Sequence, residues 1–348
     1  NNKLMETFLN IELGTWMFLV IGAVFSGYAI LDGFDLGAGT VHLFLRKEES
    51  RRIALNAIGP VWDGNEVWLV IGGGTLFAGF PKVYATLLSA FYTPFILFLV
   101  MLILRAIAIE FRSKEKMAWW RKLWDITYSV SSTLVGFTLG VVLGNVVLGI
   151  EIDGNMIYKG GLADIFNPYA LLTGLTVVAL FALHGSVYLV MKTKDKLADR
   201  LVYISKIAGM FFTICYVLLS LATLLYVPHV LDEFKEMPVL FLIPVITLLL
   251  LLNERRLIVK KKYWLAFITS ATLTSLLLVT IAIGLYPNIL ISSIDSAYSL
   301  TIANSSASQK SLGIILTFVL IGAPLVLIYT LFLFKTFRGK VVLDDMSY

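Results

Sequence analysis

Apolar stretches of about 20 residues recur along the whole chain, separated by short polar segments. A stretch of this length is what a helix needs to cross a bilayer. We count nine predicted spans, at about 14–42, 54–79, 83–109, 124–148, 168–191, 204–226, 238–254, 263–286 and 312–334. Spans one to four and spans five to eight are similar in length and in the order of the charged loops between them. We therefore expect a duplicated four-helix unit and one additional helix, span nine. The pattern predicts an all-α polytopic membrane protein.

Basic residues fix the direction of these spans. Most of the 28 lysines and arginines fall between spans one and two, after spans three, five and seven, and after span nine. Alternating spans place all of these segments on one side of the membrane. Basic loops stay in the cytoplasm, so we predict an outside N-terminus and a cytoplasmic C-terminus. The second span is the least apolar, but omitting it would break the alternation.

Composition supports the membrane assignment. The 348 residues are 58% hydrophobic, with a mean hydropathy of +0.86, whereas soluble domains are about 45–50% apolar. The net charge of +5 is explained by the one-sided loops and does not indicate nucleic-acid binding. The single cysteine, Cys215, excludes disulfides, cysteine-bound zinc and iron–sulfur clusters within this chain.

Two acidic residues lie inside the second span, in the segment Gly59–Trp68. An ionised side chain deep in lipid costs about 2.5–3.5 kcal/mol on insertion scales. Asp63 and Glu66 are one turn apart, flanked by Trp62 and Trp68, and such acids indicate an ion or proton path. The two indoles could equally be packing residues.

Two further acids lie at matching depths in the first span. Asp35 and Asp32 lie eleven and fourteen residues before Arg46, and Asp63 and Glu66 lie equally far after Arg52. In helices these distances correspond to roughly 16 and 21 Å. We therefore expect four carboxylates to face one another, some of them protonated, as a proton relay requires.

Arg105, in the third span, reaches nearly the same level and is the expected charge partner. The alternative to a relay is a buried ion-pair cluster that only holds helices or a partner chain together.

The three histidines indicate no haem site. A b-type haem held by two histidines needs facing pairs on two spans. His42 is predicted at a cytoplasmic helix end, His229 in an outer loop, and His184 alone within a span. We expect His184 to be a hydrogen-bonded core residue, and we expect neither catalytic residues nor a metal site in this chain.

Three segments together resemble one known family. Leu31–Gly37, Pro60–Trp68 and Arg105 followed by Glu110–Lys114 are similar to the corresponding motifs of subunit II of cytochrome bd quinol oxidases, a family that includes the cyanide-insensitive oxidases. Order, spacing and span count match along essentially the whole chain. Position 66 is Glu here, where some relatives carry Gln.

The resemblance implies two four-helix bundles plus one peripheral helix. We divide the chain into residues 1–148 (the first bundle, with the acidic cluster), 149–286 (the second bundle) and 287–348 (outer loop, ninth helix and cytoplasmic tail). It also implies a heterodimer with subunit I, which carries haems b and d and oxidises the membrane quinol. Some relatives hold a structural quinone in this subunit, and small single-helix subunits are further candidate partners.

For the site, the resemblance assigns Asp63, with Trp62 and Trp68, to a cytoplasmic proton channel beside subunit I, and Asp32 to the same polar cluster. Asp35 and Glu66 would buffer the proton, and Arg105 would keep part of the cluster ionised. The expected location is the cytoplasmic membrane of a bacterium or archaeon. The complex would reduce O2 to water with cytoplasmic protons.

Two other classes of protein remain open on the sequence. The same acids could couple H+ or Na+ to solute movement in a secondary transporter, although no inverted repeat or broken-helix pair supports this. The chain could also be a purely structural partner of a haem subunit, with inert acids.

Overall fold

Long helices account for most of the computed structural model, which describes residues 7–8 and 11–343. The α-helices are α1 Leu13–His42, α2 Glu48–Ile58, α3 Trp62–Gly79, α4 Pro81–Ala90, α5 Tyr92–Phe111, α6 Ala118–Leu148, α7 Leu162–Ile165, α8 Pro168–Lys192, α9 Asp195–Tyr226, α10 Asp232–Glu236, α11 Leu242–Val259, α12 Tyr263–Leu285, α13 Ile302–Ser305 and α14 Gln309–Thr336. The strands form two antiparallel pairs, β1 Thr7–Phe8 with β2 Ile11–Glu12, and β3 Asn288–Leu290 with β4 Leu300–Thr301.

Within the described ranges, eight helices are long and apolar enough to cross a membrane, and a ninth span is present if α3 and α4 count as one. The chain bends by 119° between these two helices. The chain is a multi-pass, all-α membrane protein, so the predicted fold class is confirmed.

The second and third predicted spans are not single helices. The expected span 54–79 is interrupted after Ile58 and resumes at Trp62, because Pro60 has no N–H to donate and its ring crowds the preceding turn. The expected span 83–109 is interrupted at Phe91, between α4 and α5. Pro94 in the first turn of α5 explains this break, since its ring would clash with the carbonyl of residue 90 in a continuous helix.

The spans pack around one shared interior. Helix α1 packs against α3, α6 and α8, and α5 packs against α6. Helix α8 packs in addition against α6, α9 and α12, and α11 packs against α12. Helix α14 lies outside, against α1 and α3. The division into two four-helix bundles and a ninth helix stays a prediction.

The contact between α1 and α8 is unusually close. A Cβ on Gly37 would overlap the carbonyl of Phe181, and a Cβ on Gly185 would overlap the backbone of α1. Small residues of this kind let membrane helices approach closely. The contact encloses the segment from Asp32 to Gly39, which is buried throughout.

Because consecutive spans run in opposite directions, the basic segments predicted from the sequence fall at one end of the molecule, which we call the basic side. At the opposite end, the segment after α12 forms the β3–β4 hairpin. Ile150 N donates to Ile291 O at 3.0 Å and Ser293 N to Ile150 O at 2.9 Å, which ties this hairpin to the α6–α7 connection.

Candidate functional site: an ionic cluster inside the helix bundle

Asp32 on α1 and Arg105 on α5 form a two-bonded ion pair. Arg105 Nη2 donates to Asp32 Oδ1 at 2.6 Å, and Nη1 donates to Oδ2 at 3.1 Å. The two side chains are 0% and 1% exposed. This fork-to-carboxylate geometry is the strongest type of ion pair in proteins. Arg105 is the residue that the sequence indicated as the charge partner.

Asp35 lies one turn further along α1 and has a different environment. Its Oδ2 accepts from Asn65 Nδ2 at 2.8 Å, and Asn65 also donates to the Leu31 carbonyl at 3.3 Å. The Tyr128 hydroxyl donates to the Asp35 carbonyl at 3.4 Å. Among the described residues, Asp35 Oδ1 has no hydrogen-bond partner. A buried oxygen without a partner is costly, and it can take up a proton or a water molecule.

Sequence reasoning missed Asn65 and Tyr128. An amide that lies between the acidic positions 63 and 66 of one span is the sequence signal that points to Asn65.

Glu66 lies between the buried pair of Asp32 and Arg105 and the surface. Its Oε1 lies 4.0 Å from Arg105 Nη1, and its side chain is 21% exposed. Asp63, one turn earlier, is exposed in the first turn of α3. There its charge also has a structural explanation, since acids stabilise helix N-termini.

The expectation of four facing carboxylates is wrong for Asp63. Asp32 and Glu66 lie beside Arg105, and Asp35 bonds Asn65 one turn from Asp32, whereas Asp63 lies at the exposed edge. The inward face of α3 carries Asn65 and Trp68 instead.

The two tryptophans differ in burial. Trp68 is buried against α1, where a Cβ on Gly27 would lie 2.7 Å from the indole ring. Its Nε1 has no hydrogen-bond partner among the described residues. Trp62 is half-buried against the core. Both contacts fit packing roles, and their predicted part in a proton path stays a prediction.

A second ionic network lies nearer the basic side and was not predicted. Asp125 on α6 accepts from Arg112 Nε at 2.6 Å and from Arg51 Nη1 at 2.9 Å, and it lies 2.6 Å from His42 Nε2. Glu48 bonds Arg112 at 2.9 Å and Arg121 at 3.1 Å. This network fastens the ends of α1, α2, α5 and α6 to one another. The sequence gives no clear signal for Asp125, because its basic partners also fit the charge pattern that sets the orientation of the spans.

The other two histidines bond protein groups that are not part of either ionic network. His184 Nδ1 lies 2.6 Å from Ser270 Oγ, and Nε2 lies 3.0 Å from the Ile30 carbonyl. Its ring stacks on Phe267 with centroids 4.8 Å apart. His229 Nε2 lies 3.0 Å from the Val147 carbonyl. His184 is the buried, hydrogen-bonded core residue that the sequence indicated.

The fold and the cluster define a polytopic α-helical membrane protein with ionisable side chains enclosed in its bundle. Within this class the chain belongs to the family of cytochrome bd terminal oxidase subunit II, whose family model matches residues 13–337. The family supplies subunits of terminal quinol oxidases, so membership in such an oxidase is supported.

Similar proteins agree with this assignment. The chain is 35% identical over 328 residues to the "Cytochrome bd ubiquinol oxidase subunit 2" of Bacillus subtilis, covering 93% of this chain and 95% of that protein. It is 30% identical over 364 residues to the "Cytochrome bd-I ubiquinol oxidase subunit 2" of Escherichia coli, covering 94% and 95%. A chain of the bd oxidase from Geobacillus thermodenitrificans has the same fold, with a TM-score of 0.76 at 19% identity over 93% of this chain and 98% of that one.

Proposed function

We propose that this chain is the non-haem subunit of a quinol:O2 oxidoreductase and helps to conduct cytoplasmic protons to the O2-reduction site in subunit I. The observation that carries this proposal is that three acids, Asp32, Asp35 and Glu66, lie close to a single buried arginine, Arg105. Full ionisation of all three would leave net negative charge in a low-dielectric region, which is costly. At least one carboxyl group is therefore expected to hold a proton, as a relay requires.

The placement of the acids suggests an order for the path. Asp63 is exposed and would take up a proton first. Glu66 lies between Asp63 and the ion pair, within 4.0 Å of Arg105. Asp35 would be the innermost acceptor, since its buried Oδ1 has no hydrogen-bond partner among the described residues. Arg105 would stay paired with Asp32 and so form a fixed ion pair beside the path.

An exposed carboxylate in a membrane span also points to a partner. Asp63 is exposed on α3, near the exposed Val67 and Val70, and Glu66 beside it is 21% exposed. Lipid against these acids would be unfavourable. Subunit I is proposed to cover this face, which places the acids at the interface. The names of the two curated relatives, each a subunit 2 of a ubiquinol oxidase, support such an assembly.

The haems are proposed to lie in subunit I. Each of the three histidines of this chain already bonds a protein group: His42 bonds Asp125, His184 bonds Ser270 and Ile30, and His229 bonds Val147. These sites do not form facing pairs, so they do not fit bis-histidine ligation. By the charge rule, the basic side faces the cytoplasm.

Proton delivery can be tested in the purified complex. Asp63→Asn and Glu66→Gln remove the exposed and the intermediate acid, and Glu49→Gln removes an exposed acid of α2 as the control. We expect both path variants to retain haem but to lose about 100-fold or more in O2 consumption with quinol, within the range of general acid–base contributions. Asp63→Glu should restore most of the rate.

Full O2 consumption in Asp63→Asn, with normal haem content, would show that protons do not pass through Asp63. Absence of a larger partner chain and of haem d from the purified complex would overturn the oxidase assignment itself.

A further inference from the structure

An open groove of about 450 Å³ lies on the basic side, at the start of α12. We call it the lysine groove. It is lined by Lys261 and Lys262 in the turn between α11 and α12, by Lys340 after α14, and by the first residues of α12, including Trp264 and Leu265. Lys261 has φ 57°, a left-handed conformation that turns the chain sharply between the two helices.

The positive charge of this groove is not neutralised by the residues that line it. No acidic side chain is among the described residues of its lining. Among the described residues, Lys340 Nζ donates to the Val190 carbonyl at 3.1 Å. Partial burial lowers the pKa of Lys340, and the charge of Lys194 lowers it further. An anion in this groove would relieve the repulsion between the lysines.

The groove also lies where a membrane surface meets water. Trp264 is 63% exposed and Leu265 is 49% exposed, both in the first turn of a membrane span. Exposed tryptophan is enriched at the headgroup level of membranes. A ligand here would therefore present its anionic group to the lysines and an apolar chain to Trp264 and Leu265.

A second basic cavity is less suited to an anion. It measures about 360 Å³ and contains Arg51, Arg121, Lys116 and Lys122. Glu48 and Asp125 face into it as well, and they already bind both arginines. Its two lysines offer a matched control for the lysine groove.

We propose that the lysine groove binds the phosphate of an anionic phospholipid from the leaflet on the basic side. Lysine ammonium groups bind phosphate as flexible point charges, and basic pockets beside membrane helices hold anionic headgroups. The acyl chains would run along the exposed start of α12. This inference does not depend on the proton path.

The test uses the purified complex and added phosphatidylglycerol, with bound lipid counted by native mass spectrometry. Lys261→Gln/Lys262→Gln should weaken phosphatidylglycerol binding by roughly 25-fold, about fivefold for each lysine. Lys116→Gln/Lys122→Gln carries the same charge change and should leave binding within about twofold. Phosphatidylcholine should bind weakly to all three proteins. The four lysines are exposed, so their replacement should not prevent assembly.

Three results would overturn the proposal. Equal loss of phosphatidylglycerol binding in both double variants would show that binding depends on the net charge of the protein and not on the lysine groove. Displacement of the lipid by millimolar inorganic phosphate would indicate a site for a soluble anion. Asp344 and Asp345 follow in the sequence; if only a chain ending at Leu343 bound phosphatidylglycerol, the protein's own tail would be the occupant.

Discussion

Arg105 Nη2 and Asp32 Oδ1 lie 2.6 Å apart in the interior of the helix bundle, with both side chains almost completely inaccessible. The two residues are on different spans and 73 positions apart in sequence. Their pairing fixes one charge of each sign in a region where an unpaired charge is not tolerated. The other acids of the cluster are arranged around this fixed pair.

Loss of Arg105 alone should be far more harmful than loss of the pair. Arg105→Met keeps much of the apolar stem but leaves Asp32 buried without its counter-charge. Breaking a buried pair in this way costs about 3–5 kcal/mol of stability. Asp32→Leu/Arg105→Met should recover most of that loss, as measured by the thermal unfolding of the purified complex.

Arg46→Met, at an exposed position, is the control and should change the unfolding temperature little. If the double variant is as unstable as Arg105→Met, the ion pair stabilises the complex by more than the mutual neutralisation of its two buried charges.

Asp125 and Glu48 offer a comparison between two acids that bond the same arginine. Asp125→Asn leaves Arg112, Arg51 and His42 without their shared carboxylate in a buried site, and should destabilise the protein by about 3–5 kcal/mol. Glu48 is 45% exposed, so Glu48→Gln should cost less than about 1 kcal/mol. Thermal unfolding of the two complexes measures the difference, and equal effects would contradict this account of the network.

Gly37 should be irreplaceable even by alanine. A Cβ there would overlap the Phe181 carbonyl on α8, and overpacking of this kind costs about 1–3 kcal/mol or more. Gly22 lies on the same helix with nothing within 4 Å of an added Cβ. Gly22→Ala should therefore be neutral in assembly yield and thermal unfolding, whereas Gly37→Ala should lower both.

Glu254 on α11 is 1% exposed, and neither of its carboxyl oxygens has a hydrogen-bond partner among the described residues. Leaving such a group unsatisfied costs about 1–3 kcal/mol. Glu254→Leu should thus raise the unfolding temperature, whereas Glu254→Gln, which keeps an unsatisfied polar group, should not. A lower unfolding temperature for Glu254→Leu would mean that the carboxyl group has a partner in the assembled complex.

The local pattern predicted most spans because hydropathy over 20 residues decides whether a helix enters a membrane. The first span was predicted at 14–42 and is found at Leu13–His42. The same reasoning missed the break at Phe91, because Pro94 interrupts the helix without changing its hydropathy.

The depths of Asp63 and Glu66 follow from Arg52 only if residues 54–79 form one helix. The chain is interrupted between Ile58 and Trp62, so the direction in which each side chain of α3 points is not set by its distance from Arg52. Asn65, not Asp63, therefore meets Asp35.

The sequence by itself determined the class of protein, the approximate ends of the spans, the basic side and the presence of acids inside the membrane. These properties follow from length, hydropathy and charge, which act locally along the chain. Only the tertiary structure decided which acid pairs with Arg105, which one stays at the surface, and that Asp125 joins four helix ends. Such pairings depend on how helices rotate and pack against one another, and no local pattern records that rotation.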